Sequence, residues 1–68
     1  MPDLARLTRV IAKQGFNIDA LADKMGIDKS TLYRKLEGGG KKFMMWEVES
    51  IIDHLDLTIQ DAREIFLP

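Results

Sequence analysis

Apolar residues along this chain recur at helical spacing, and no alternation of apolar and polar positions lasts long enough to argue for a strand. Leu4, Leu7 and Ile11 form one stripe, which predicts a first helix from about Asp3 to Gln14 with Asp3 as its cap. Gly15 closes that helix, and Phe16 is placed to pack beneath it. Asn17 caps a second helix over about Ile18 to Met25, and Asp28 caps a third over about Lys29 to Glu37. A fourth spans about Met45 to Leu55, with Val48, Ile51, Ile52 and Leu55 on one face. Thr58 and Asp61 form a Thr-x-x-Asp cap for a fifth helix, which presents Ala62, Ile65 and Phe66. Helices this short are not stable alone, so their stripes must meet in one core. The expected fold is all-α, a compact five-helix domain over residues 1–68.

Within this pattern, Asn17 to Leu36 reads as two helices around a tight turn. Ala22 allows a close helix approach, and Gly26 ends the first helix with a positive φ. Leu21, Met25, Ile27 and Leu32 are spaced to meet inside the corner. This is the layout of a helix-turn-helix over about residues 17–37, whose second helix enters the major groove of DNA. With Leu32 and Leu36 turned inward, the opposite face presents Lys29, Ser30, Tyr33 and Arg34, the expected base contacts. Arg and Lys can donate twice to guanine, Ser can donate or accept, and a tyrosine can touch a thymine methyl or bond a phosphate. Lys35, Lys41 and Lys42, with the backbone amides of Gly39 and Gly40, are expected to hold phosphates and so fix register.

The segments Leu21-Ala22, Lys24-Met25-Gly26-Ile27, Lys29 to Leu36 and Gly38 resemble the Cro and lambda-repressor-like helix-turn-helix family, also called the XRE type. The likeness continues through Phe43, Glu47-Val48-Glu49, Ile51 and Leu55-x-Leu57-Thr58, and so covers nearly the whole chain. It implies a five-helix lambda-repressor-like DNA-binding domain that acts as a homodimer on an inverted-repeat operator, similar to small phage regulators. Three positions depart from the family. Ile18 stands where many members have a phosphate-binding Gln, leaving amides near Asn17 to face a phosphate there. Lys35 stands where many have an aliphatic residue, and Asp56 replaces a turn glycine. Aspartate tolerates the left-handed conformation better than most residues.

The net charge of −1 conceals a division along the chain. Residues 1–28 balance, residues 29–42 carry +4, and residues 43–68 carry −5. The basic segment coincides with the reading helix and its following loop, although lysines can also simply solvate a loop. Phosphate attraction acts over about 8 Å at physiological salt, so this local excess matters more than the sum. There is no cysteine, which removes disulfides and thiolate metal sites. His54 stands alone and reads as a helix-surface residue. Glu47 and Glu49 point to different helix faces, and Gly38-Gly39-Gly40 lacks the ending of a phosphate-cradling loop. No catalytic residue, metal, cofactor or small-molecule ligand is expected, and no membrane segment is present in the pattern; a cytoplasmic location follows as the expectation.

Two apolar groups leave the partner question open. In Phe43-Met44-Met45-Trp46, either Phe43 and Met45 complete the core while the others shield its edge, or Met44 or Trp46 is exposed at a subunit interface. Phe66 and Leu67 pose the same choice. The leading expectation is a sequence-specific transcriptional regulator, a repressor bound to double-stranded DNA as a homodimer. The alternative is a protein-interaction module, antitoxin-like or antirepressor-like, that keeps the fold without reading DNA.

Overall fold

Every helix but one begins where a side chain satisfies an amide that the helix itself leaves unpaired. In the computed structural model, which describes residues 2–68, the helices are α1 (Leu4–Lys13), α2 (Ile18–Met25), α3 (Lys29–Glu37), α4 (Met45–His54) and α5 (Ile59–Phe66). Asp3 accepts from the Arg6 amide at 3.0 Å, Asn17 from Ala20 at 2.8 Å and Thr58 from Asp61 at 3.0 Å. Asp28 makes a longer bond to the Ser30 amide, 3.4 Å. The exception is α4, whose N-cap, Met44, has no polar side chain. Its amide donates instead to Glu47 Oε1 at 2.8 Å. Among the described residues there is no strand, and no helix is long and apolar enough to cross a membrane.

The turn between α2 and α3 follows the expected chemistry. Gly26 sits at φ +74°, and the Ile27 amide returns to the Ala22 carbonyl at 3.1 Å. That geometry satisfies a carbonyl at the end of α2 and redirects the chain. Leu21, Ala22, Met25 and Leu32 are all buried there, and Ile27 packs against them half-buried. Asp56 does adopt a left-handed conformation, φ +51°, after α4.

The core joins these residues to Leu7 and Ile11 of α1, Ile51 of α4, Leu55 just beyond it, and Ile65 of α5. Full burial of such a side chain contributes about 1.5–3 kcal/mol. α2 packs against both α3 and α4, while α1 packs against α5. At that second seam the Asp3 amide donates to the Ile65 carbonyl at 2.6 Å, and Arg6 meets Glu64 at 2.9 Å. α3 is therefore backed by α2 through its buried Leu32, and α2 packs in turn against α4.

The face of α4 differs from expectation. Ile51 and Leu55 are buried, but the third inward residue is Glu47, and Val48 and Ile52 are only half-buried. Met45, expected to complete the core with Phe43, is 71% exposed. It opens the helix on the flank shared with Val48 and Ile52, more than a quarter turn around the axis from the Glu47–Ile51–Leu55 line. Phe43 does pack against the core. His54 is half-buried in the last turn, its Nδ1 2.9 Å from the Ser50 carbonyl.

Candidate nucleic-acid interface

The outer face of α3 gathers all four side chains expected to meet bases. Lys29, Ser30, Tyr33 and Arg34 are exposed, while Leu32 on the opposite face is wholly buried. Rigid burial of one side fixes how far and at what angle the other side projects. Two of the four are tied to α2 through one carboxylate. The Tyr33 hydroxyl donates to Asp19 Oδ1 at 3.1 Å, and Lys29 Nζ lies 3.7 Å from Asp19 Oδ2. The hydrogen bond to Asp19, with some desolvation and the charge of the carboxylate, holds the Tyr33 phenol above its ordinary pKa. Arg34 folds along its own helix, Nε towards the Ser30 carbonyl at 3.4 Å and Nη2 towards Thr31 Oγ1 at 3.3 Å. Both are long bonds on an exposed side chain, so the guanidinium is free to swing outward.

The expected phosphate contacts divide. Lys41 and Lys42 are exposed and line a groove of about 510 Å³ with Thr31, Arg34, Lys35 and Gly38. Asn17 is exposed at the start of α2, where its side chain serves as the cap. The amides of Gly39 and Gly40 are not available to a phosphate. They donate to the Leu36 and Lys35 carbonyls at 3.0 and 2.9 Å, closing the C-terminus of α3. Gly40 is also buried, with Pro2 so close that an added Cβ would lie 3.0 Å from its Cγ. The glycine run is spent on reversing the chain, which is why its positive φ values, +79° and +75°, fall at Gly39 and Gly40.

Lys35 is turned inward as well. Its ammonium lies 2.5 and 2.6 Å from the two oxygens of Glu47, whose residue is 1% exposed. Burial alone would raise the Glu47 pKa; Lys35 and the Met44 amide outweigh it and hold the carboxyl below its ordinary value. This pair explains how a lysine occupies a position facing the core. The sequence does carry a signal for it: Glu47 lies four residues before Ile51 and eight before Leu55, on their face of the helix. Asp19, which ties Tyr33 and Lys29 to α2, is the second residue that sequence reasoning passed over. Nothing local marks it, because Tyr33 lies 14 residues away.

The residues considered for a subunit interface also separate. Met44 and Trp46 are exposed at 59% and 49%. Phe66 is half-buried and Leu67 is 77% exposed, and both line an apolar groove of about 510 Å³ with Phe43, Met45, Val48 and Ile52. Met44 and Trp46 lie outside that lining. Among the described residues, no three potential metal-ligating side chains come together.

Comparison with known families matches residues 6–65 to the Cro/C1-type helix-turn-helix DNA-binding domain. No curated protein and no solved structure matches the chain.

Proposed function

The chain belongs to the Cro/C1-type helix-turn-helix DNA-binding family, and on that premise we propose that it is a transcriptional repressor that occupies an inverted-repeat operator as a homodimer. The observation that carries this reading is the sorting of α3 into a buried face at Leu32 and an exposed face bearing Lys29, Ser30, Tyr33 and Arg34. Those four side chains would meet base edges. Lys41 and Lys42 would hold the flanking phosphates, joined by amides near Asn17 at the start of α2. Lys35 has no part in this grip, because its charge is already matched by Glu47. Two copies would set their reading helices about 34–36 Å apart along one face of the duplex. Phe66 and Leu67, which line the apolar groove, are the better-placed candidates for the contact between copies.

The test is selection from a randomised duplex library at physiological salt, followed by sequencing. An enriched inverted repeat with half-sites one helical turn apart supports a dimeric operator-binding regulator. The exposed apolar groove favours a second reading, a protein-interaction module. That reading gains if no sequence is enriched and binding is weak and vanishes as salt rises.

A further inference from the structure

Tyr33 has one proton to give, and the fold has already assigned it. A phenol offers a single donor and oxygen lone pairs that accept. The donor is directed at Asp19 Oδ1, 3.1 Å away on α2. Asp19 is itself held by Lys29 on its second oxygen, at 3.7 Å, so the carboxylate sits between two side chains of the reading helix. A phenol is protonated at neutral pH and an ionised carboxylate can only accept, so the direction of the bond is fixed. What the exposed hydroxyl still presents to a ligand is its capacity to accept.

We infer that Tyr33 reads an exocyclic amino group, on adenine or cytosine, in the major groove, and that Asp19 is the positioning residue that makes it do so. In that groove the only hydrogen-bond donors on the bases are adenine N6 and cytosine N4; guanine O6 and N7 and thymine O4 all accept. A hydroxyl whose proton is spent meets an acceptor with repulsion and a donor with a bond. The same argument removes the phosphate contact considered for Tyr33, since phosphate oxygens only accept. Without Asp19 the hydroxyl would turn its proton outward and lose the preference. The inference rests on the DNA-reading proposal above and adds which base chemistry one of its residues selects.

The test compares sites selected by the wild-type chain with those selected by Tyr33→Phe, Asp19→Ala and Asp19→Asn. Wild type is expected to require adenine or cytosine at one position in each half-site. Replacing that base by purine or pyrimidin-2-one, which lack the amine, should weaken binding about three- to tenfold, the range of one hydrogen bond. Tyr33→Phe should bind both duplexes alike. Asp19→Ala should accept guanine or thymine at that position, and Asp19→Asn, whose carbonyl still accepts from the phenol, should restore the wild-type preference. All three changes are at exposed positions, and unchanged thermal melts confirm that they fold. A clear operator whose base preferences are untouched by Tyr33→Phe and Asp19→Ala overturns the assignment while leaving DNA reading intact. No enriched site for any variant overturns both.

Discussion

Lys35 of α3 and Glu47 of α4 form a buried ion pair, both carboxylate oxygens within 2.6 Å of the ammonium. The same carboxylate receives the Met44 amide and so starts α4. One side chain thus ties the helix proposed to touch DNA to the element behind it and initiates that element. An acidic group in a first helical turn is also favoured by the partial positive charge there.

Breaking the pair from the lysine side leaves an uncompensated charge in the interior. Lys35→Ala is expected to cost about 3 kcal/mol, the lower end for a broken buried pair because a fifth of the Lys35 side chain reaches solvent. Lys35→Met combined with Glu47→Gln should recover most of that loss, because the amide oxygen can still accept from Met44. Urea denaturation of the three proteins gives the comparison directly; equal losses in the single and double variants would refute the account.

Stability should fall on acidification through this group. The folded Glu47 pKa lies below its ordinary value of 4.5, so the contribution is fully present above pH 4.5 and is lost as pH drops through the lower, folded value. Thermal melts between pH 7 and pH 3 are expected to show a slope that Glu47→Gln reduces.

Two glycines with nearly the same φ separate conformational strain from crowding. Gly26 and Gly40 have φ values of +74° and +75°, yet an added Cβ meets nothing within 4 Å at Gly26 and Pro2 at 3.0 Å at Gly40. Gly26→Ala should cost about 1–2 kcal/mol from strain alone. Gly40→Ala should cost more, and most of the excess should disappear when Pro2→Gly is added, which removes both the Cγ at 3.0 Å and the Cβ at 3.2 Å. Denaturation midpoints of the four proteins measure it.

Lys41 and Lys42 should act on DNA through charge only. Lys41→Ala and Lys42→Ala are each expected to weaken binding about equally for all sequences and to lower the salt slope by about one. Titrations at several salt concentrations, on specific and scrambled duplexes, distinguish this from loss of base reading. The same replacement at Lys35 should leave the salt slope nearly unchanged in protein that remains folded.

The helices were legible because their ends are local events. Asn17, Asp28, Thr58 and Gly26 act within a few residues of themselves, and α2 and α3 fall where those residues put them. The exposed face of α3 was legible for the same reason, as the complement of Leu32 at helical spacing. What escaped depends on partners brought together only by folding. Met45 reads as core because it is apolar, but the inward line of α4 is set by Glu47, whose partner Lys35 lies on another helix. The glycine amides could not be known to be occupied until the chain was seen to curl back onto Leu36 and Lys35. Asp19 became informative only when α3 brought Tyr33 to it.

The bond from the Asp3 amide to the Ile65 carbonyl gives the far ends of the fold a shared fate. Asp3 is also the cap of α1, so the residue that protects the Arg6 amide is the one that holds the last turn of α5. Fraying at either end would cost the other this bond, so the first and last helices are expected to open together. Amide hydrogens in the first turn of α1 and the last turn of α5 should therefore exchange with solvent at matched rates, although they are separated by almost the entire sequence.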